Sequence, residues 1–220
     1  MKKLFTMVAM AFMAVCVNAQ SITWSEAVSA GSVPASFSSA DEKLVLTITA
    51  DTENKMAIDK NSQYFGDADN YVNYTYRFKT GATSGEKSGL KLTVPSDGTL
   101  KIAVRSANSS ATDRNLVLTQ TEEIYNQVVK DEDAVKATIE GKEKSVFPII
   151  TVDVKAGDID IAYPKGSLNF YAFEFTPASN PGTAIESVKA SVENNGKAYN
   201  VGGRVASKGL VIKNGKKYVK

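Results

Sequence analysis

Leu90-Lys91-Leu92-Thr93-Val94-Pro95-Ser96-Asp97-Gly98-Thr99-Leu100-Lys101-Ile102-Ala103-Val104 decides the fold class. Apolar side chains stand at every second position on either side of a Pro-Ser-Asp-Gly break. Successive side chains of an extended strand point to opposite faces. Period two therefore gives each run one apolar face, whereas a helix would need a period of about 3.6. Pro95 presets one turn dihedral and Gly98 tolerates the others, so the break has turn chemistry. The two runs read as a β-hairpin with a four-residue connection.

The same alternation recurs on both sides of this pair. Leu44, Leu46 and Ile48 alternate with Val45, Thr47 and Thr49, and Val72, Tyr74, Tyr76 and Phe78 alternate with Asn73, Thr75 and Arg77. Further strands are expected at Asn115 to Gln120, Val146 to Lys155, Asp158 to Tyr163 and Leu168 to Thr176. Turns are expected at Lys155-Ala156-Gly157-Asp158 and Pro164-Lys165-Gly166-Ser167. Only Glu122 to Ala137 offers a helical turn. Many short strands at near-regular spacing specify an all-β fold, an antiparallel β-sandwich of jelly-roll-like build.

The two ends of the chain differ from this middle. Lys2 and Lys3 precede an apolar run from Leu4 to Val17, and Val17-Asn18-Ala19 offers a cleavage site, so residues 1–19 read as a signal peptide. The run is shorter than the ~20 residues that span a bilayer, and no second such stretch follows. At the other end Pro-Ala-Ser-Asn-Pro-Gly, residues 177–182, reads as a linker between a domain at 20–176 and a basic β tail at 183–220. Three short strands are expected in that tail, at Lys197 to Arg204, Gly209 to Lys213 and Lys216 to Lys220. Asn214-Gly215 is the two-residue hairpin signal between the last two.

Composition then excludes whole chemistries. The one cysteine, Cys16, lies inside the apolar run, and the chain has no histidine. Cleavage after Ala19 leaves no disulfide, no zinc site of the usual ligands, and no imidazole for Ser-His-Asp or Cys-His catalysis. Carboxylate, Lys or Arg chemistry and a hard cation on oxygen ligands remain. Charge is split along the chain. Gln20 to Asn180 holds 16 basic and 22 acidic residues, a net −6, whereas Pro181 to Lys220 holds eight against two. An acidic exported domain without a basic stripe is not built for nucleic acid. The basic tail suits an anionic surface or a receptor, and equally a solvated end.

Two resemblances rest on particular residues. Tyr199-Asn200-Val201-Gly202-Gly203-Arg204-Val205, then Lys208-Gly209-Leu210-Val211-Ile212 and Asn214-Gly215-Lys216-Lys217, resembles the C-terminal sorting domains of the bacterial type IX secretion system. That resemblance implies a tail read by the secretion machinery at the outer membrane and often removed afterwards. Tyr76-Arg77-Phe78-Lys79-Thr80-Gly81, Asp97-Gly98-Thr99-Leu100, Val104-Arg105-Ser106-Ala107-Asn108 and Leu168-Asn169-Phe170-Tyr171 resemble a β-sandwich module appended to secreted pectate lyases, similar in build to carbohydrate-binding modules. It implies a non-catalytic module, here without the catalytic domain that such modules accompany.

Candidate site residues follow from the chemistry of sugar recognition, which stacks a ring on an aromatic face and satisfies hydroxyls with planar polar groups. Arg105, Asn108, Ser109, Asp113 and Arg114 cluster around one expected loop, with Tyr64, Phe65 and Tyr125 as candidate platforms. The competing reading pairs Arg105 and Arg114 with Asp113 or sets them as caps on a sheet edge. Trp24, the single tryptophan, reads more readily as a core anchor than as a platform. The stretch from Asp59 to Asn70 is rich in oxygen donors, with Asp59, Asn61, Asp67 and Asp69 as candidate calcium ligands, although the spacing is not that of an EF-hand. Glu122, Glu123, Asp131, Glu132 and Asp133 read as an exposed acidic face.

The sequence thus predicts a secreted or surface-displayed binding module, for carbohydrate and without catalytic activity. No cofactor is expected, and a structural calcium is the one metal that the oxygen-rich stretch leaves open. A structural or adhesive protein that binds another protein or itself is the alternative, and a lyase or hydrolase using carboxylates, Lys or Arg is the third class. Expected partners are a polysaccharide or glycan and, through the tail, the secretion machinery. No nucleic acid and no transmembrane segment in the processed chain are expected.

Overall fold

The computed structural model describes residues 19–49, 55–81 and 89–178, together with the backbone of 210–213 and 216–219. The chain divides into two compact units, residues 1–179 and 180–220. The expected signal segment lies outside the described residues except for Ala19, as does the first of the three strands expected in the tail.

The first unit is all-β, two mainly antiparallel sheets face to face. In chain order its strands are β1 (Gln20–Thr23), β2 (Ser36–Ser38), β3 (Val45–Ile48), β4 (Ala57–Gly66), β5 (Tyr71–Lys79), β6 (Leu90–Val94) and β7 (Gly98–Ser106). There follow β8 (Asn115–Thr119), β9 (Glu123–Val128), β10 (Val135–Ile139), β11 (Lys142–Phe147), β12 (Ile150–Val154), β13 (Gly157–Ala162) and β14 (Leu168–Pro177). A single 3-10 turn, Asp131–Asp133, separates β9 from β10. The large sheet runs β10-β11-β4-β5-β14-β7-β12, with β1 also on β14, and the small one β2-β3-β6-β13-β8-β9. In the second unit β15 (Leu210–Lys213) and β16 (Lys216–Val219) pair antiparallel with Lys213 opposite Lys216, as an Asn-Gly hairpin requires.

Between the sheets lies a dry core. Leu100, Ile102 and Val104 of β7, Phe170, Phe173 and Phe175 of β14, Leu90 and Leu92 of β6, and Ile159 and Ile161 of β13 all meet there. Trp24 belongs to this core and stacks on Phe78 at 5.6 Å with an interplanar angle of 17°, which settles its role as an anchor. At ~25 cal/mol per Å² of apolar surface buried, rings of this size dominate the stability of the unit.

The turn after β6 is real, but the hairpin expected there is not. β6 pairs with β3 and β13 in the small sheet, whereas β7 pairs with β14 and β12 in the large one. Pro95-Ser96-Asp97 therefore carries the chain from one layer to the other. Residues 155–156 do the same between β12 and β13, and 163–167 between β13 and β14. Alternation reports that a run has one apolar face and says nothing of which neighbour it pairs with. Two of these arches lock together: Asp97 accepts the Ala156 N–H at 3.0 Å and the Lys155 ammonium at 2.8 Å. Gly98 is required at the base of the first arch, because a Cβ there would overlap the Thr176 carbonyl and the Phe175 ring.

Three other expectations are corrected. The stretch around Asp59 is not a loop but strand β4. Glu122 to Ala137 is mostly strand, its helical content being the one 3-10 turn. The single strand expected over 146–155 is two, β11 and β12, because Pro148 between them has no N–H to donate to a ladder.

That break has a large consequence. β11 and β12 lie five strand spacings apart in the order of the large sheet, which is ~24 Å if flat. Only residues 148–149 join them, a reach of at most ~11 Å between the flanking Cα atoms. The sheet therefore rolls back on itself. A bulge in β4 between Lys60 and Gln63 begins the bend. β11 then adds parallel to the far end of β4, with Val146 opposite Tyr64 and Phe147 opposite Phe65. The roll encloses a second, smaller core of Phe65, Ala103, Phe147, Tyr171 and Ala172 behind the large sheet.

Candidate binding cleft

β9 ends the small sheet and β12 ends the large one. Where these edges approach, residues of β9, the 3-10 turn and the β11–β12 connection enclose a cleft of about 220 Å³. One wall is Phe147, Pro148, Ile149 and Ile150, placed there because Pro148 stops β11 and turns the chain across the edge. Tyr125 and Gln127, two residues apart on β9 and so on one face of that strand, line the cleft as well. Lys130, Asp131 and Asp133 come from the turn that follows, and Val104 and Arg105 from β7.

Arg105 is the fixed point of the cleft. Its Nε donates to Asp131 Oδ1 at 3.2 Å and its Nη2 to Asp131 Oδ2, a two-pronged pair. The guanidinium also lies 4.0 Å over the centroid of the Phe147 ring. Only 18 % of the Arg105 side chain and 14 % of the Asp131 side chain remain accessible, so the pair is largely desolvated. This places Asp131 inside the structure, not on the exposed acidic face that its sequence neighbours suggested. Lys130 is engaged by Glu132 at 3.1 Å. Asp133 is exposed and makes no ion pair with any described cation. Burial, with Asp133 beside it, pushes the Tyr125 phenol above its ordinary range.

The structure brings together two of the eight residues proposed for sugar contact, Arg105 and Tyr125. The others stand elsewhere. Asn108 orders its own loop, its side-chain carbonyl accepting the Ser110 N–H at 3.1 Å and hydroxyl at 2.9 Å. Asp113 is exposed on the same loop and pairs with neither arginine. Arg114 reaches toward the Ser167 carbonyl at 3.5 Å, its guanidinium over Gly166, where a Cβ would overlap it. Tyr64 packs edge-on against Tyr71 at 5.7 Å beside the β10–β11 hairpin, and Phe65 is wholly buried in the second core.

The four candidate calcium ligands do not converge. Asp59 and Asn61 sit near the start of β4, and Asp67 and Asp69 in the turn beyond its far end. Asp59 is held by Arg77 at 2.7 Å and Lys79 at 2.8 Å. Asn61 accepts the Tyr171 hydroxyl at 2.8 Å, and Asp67 caps the backbone N–H groups of Asp69 and Asn70. Among the described residues no group of three or more Asp, Glu, His or Cys is placed to hold a metal ion.

Sequence reasoning missed Asp131, Asp133, Phe147, Pro148 and Ile149. The proline inside an apolar run was the available signal, since it marks a strand break where a chain changes direction. The distance between β9 and β12 had no signal at all.

An all-β sandwich with an edge cleft is the class that this fold and site define. No protein-family model matches the chain, and no curated protein matches it. Among solved structures, the chain is similar to the K1 cleaved adhesin domain of Lys-gingipain from Porphyromonas gingivalis W83. The TM-score is 0.43 at 12% identity, over 73% of this chain and 99% of that one. No helix among the described residues is long and apolar enough to cross a membrane.

Proposed function

We propose that this protein is an exported, surface-displayed binding module without catalytic activity, and that the edge cleft takes one ring of a glycan. The observation that carries this reading is the composition of the cleft. Pro148, Ile149 and Ile150 give the cleft apolar surface, and the phenol of Tyr125 and the amide of Gln127 line it with them. A sugar ring needs that combination: apolar surface for its C–H face and planar or hydroxyl groups for its edge. At about 220 Å³ the cleft falls below the ~300 Å³ at which drug-sized pockets begin, so it suits a single ring of a longer chain. Arg105 serves by holding the cleft open, clamped between Asp131 and Phe147, and not as a free hand for the ligand. Export through residues 1–19 and delivery by the basic tail to a type IX secretion machinery complete the proposal.

A glycan-array screen of the full chain tests it. Saturable binding to one glycan class, without product formation and lost on Tyr125→Ala, supports the reading. Capture of a protein partner or self-association with no glycan dependence would move the assignment to an adhesive role, and new reducing or unsaturated ends to an enzyme.

A further inference from the structure

The cleft lining holds two cations, Arg105 and Lys130, and two carboxylates, Asp131 and Asp133, but Lys130 is drawn to a third carboxylate, Glu132, that does not line it. Arg105 is neutralised by Asp131 and Lys130 by Glu132, both through direct pairs. Asp133, on the same turn, also lines the cleft as an exposed carboxylate near enough to Tyr125 to act on its phenol, and it forms no ion pair with any described cation. An uncompensated carboxylate beside an aromatic ring is the pairing that recognises an ammonium group. The carboxylate accepts its hydrogen bonds, and the ring face attracts its charge. Gln20 to Asn180 carries a net −6, so the field around the unit draws cations toward the cleft from a distance.

We propose that the glycan ring bound in this cleft carries a free, protonated amine, as glucosamine does, with Asp133 as its counter-ion and Tyr125 beneath it. The inference rests on the glycan reading above and names the ligand class for it. N-acetylation of the same ring would remove the charge and leave one neutral amide N–H to face Asp133, a weaker donor to a carboxylate than an ammonium. An amino sugar and its N-acetyl form therefore differ at this one contact.

Calorimetric titration of the full chain with a glucosamine hexamer and with an N-acetylglucosamine hexamer tests the proposal at pH 6. The glucosamine hexamer is expected to bind about fivefold or more tightly, the value of one partly exposed charged contact. Asp133→Asn, at an exposed position that leaves the fold intact, is expected to erase that preference. Raising the pH until the amine loses its proton is expected to erase it in the unsubstituted protein as well. Equal affinities for the two hexamers, or a preference that survives Asp133→Asn, would overturn the amine assignment. Neutral glycans bound in a Tyr125-dependent and Asp133-independent way would overturn it while leaving the glycan reading in place. Binding of no glycan at all would overturn both. Binding of poly-lysine with neither hexamer would assign the cleft to a basic protein segment and overturn both as well.

Discussion

The two cores of this domain are built on opposite principles. Between the sheets, Leu100, Ile102, Phe170, Phe173 and Phe175 meet other hydrocarbon, and the packing is dry. Behind the large sheet, the smaller cluster around Ala103 and Ala172 is mostly aromatic, and its two tyrosines carry polar tips that end in pairs. Tyr171 donates to Asn61 at 2.8 Å and Tyr74 to Glu174 at 2.6 Å, while Arg105 lies over Phe147 and is held by Asp131. A small cluster near solvent cannot bury a large apolar area, so it is made of side chains that bury a flat body and satisfy a polar end. Such a cluster is also where a cleft with mixed walls arises. The dry core sets the stability, and the smaller one sets the surface chemistry.

Substitutions sharpen that contrast. Phe173→Ala is expected to have the largest effect, a loss of about 3–5 kcal/mol in denaturant unfolding, because the ring is wholly buried among other rings. Asp131→Ala should cost about 2 kcal/mol by the same assay, since it strands the Arg105 guanidinium with most of its surface already out of water. A double-mutant cycle with Arg105→Ala should show coupling of about 1–2 kcal/mol. Additive single effects would mean that the pair is not the organising contact of the cleft.

Tyr74→Phe should cost about 1 kcal/mol near neutral pH, the worth of one hydrogen bond to a charged acceptor with some exposure. Its pH signature is more telling. Burial, and then Glu174 beside it, hold the Tyr74 phenol well above its ordinary range. A phenol with a raised folded-state pKa contributes in full below its unfolded value of ~10 and loses that contribution as pH rises through the folded value. Stability of the unsubstituted protein should therefore fall above pH ~10, and more gently in the Phe variant. Parallel curves would place the alkaline loss at Tyr125 and Tyr171, whose phenols burial also raises. The smallest effect is expected at Val135, the large apolar side chain left 45% exposed on edge strand β10, where replacement by Thr should change stability by no more than ~0.5 kcal/mol.

The dry core was legible because its residues obey a local rule. Leu90 to Val104 shows its two apolar faces without any knowledge of partners, and Asn214-Gly215 announces its hairpin from two residues. The cleft was only half legible. Arg105 and Tyr125 stand out as a cation and a ring, but their selection came with Asn108, Asp113 and Arg114 from sequence proximity alone. Strand β4 hid because Asp59 and Asn61 look like loop formers until Arg77, Lys79 and Tyr171 are known to stand beside them.

By itself the sequence determined the class of fold, the places where the chain turns, the absence of thiol and imidazole chemistry past Cys16, and the opposite charge of the two parts. Each follows from composition or from neighbours within a few residues. Only the tertiary structure decided that the three turns cross between layers, that Pro148 lets the large sheet roll back, and that Asp131 closes on Arg105 26 positions away. Those contacts are made by strands whose pairing depends on the free energy of the whole sheet, and alternation carries no record of which strand will be the neighbour.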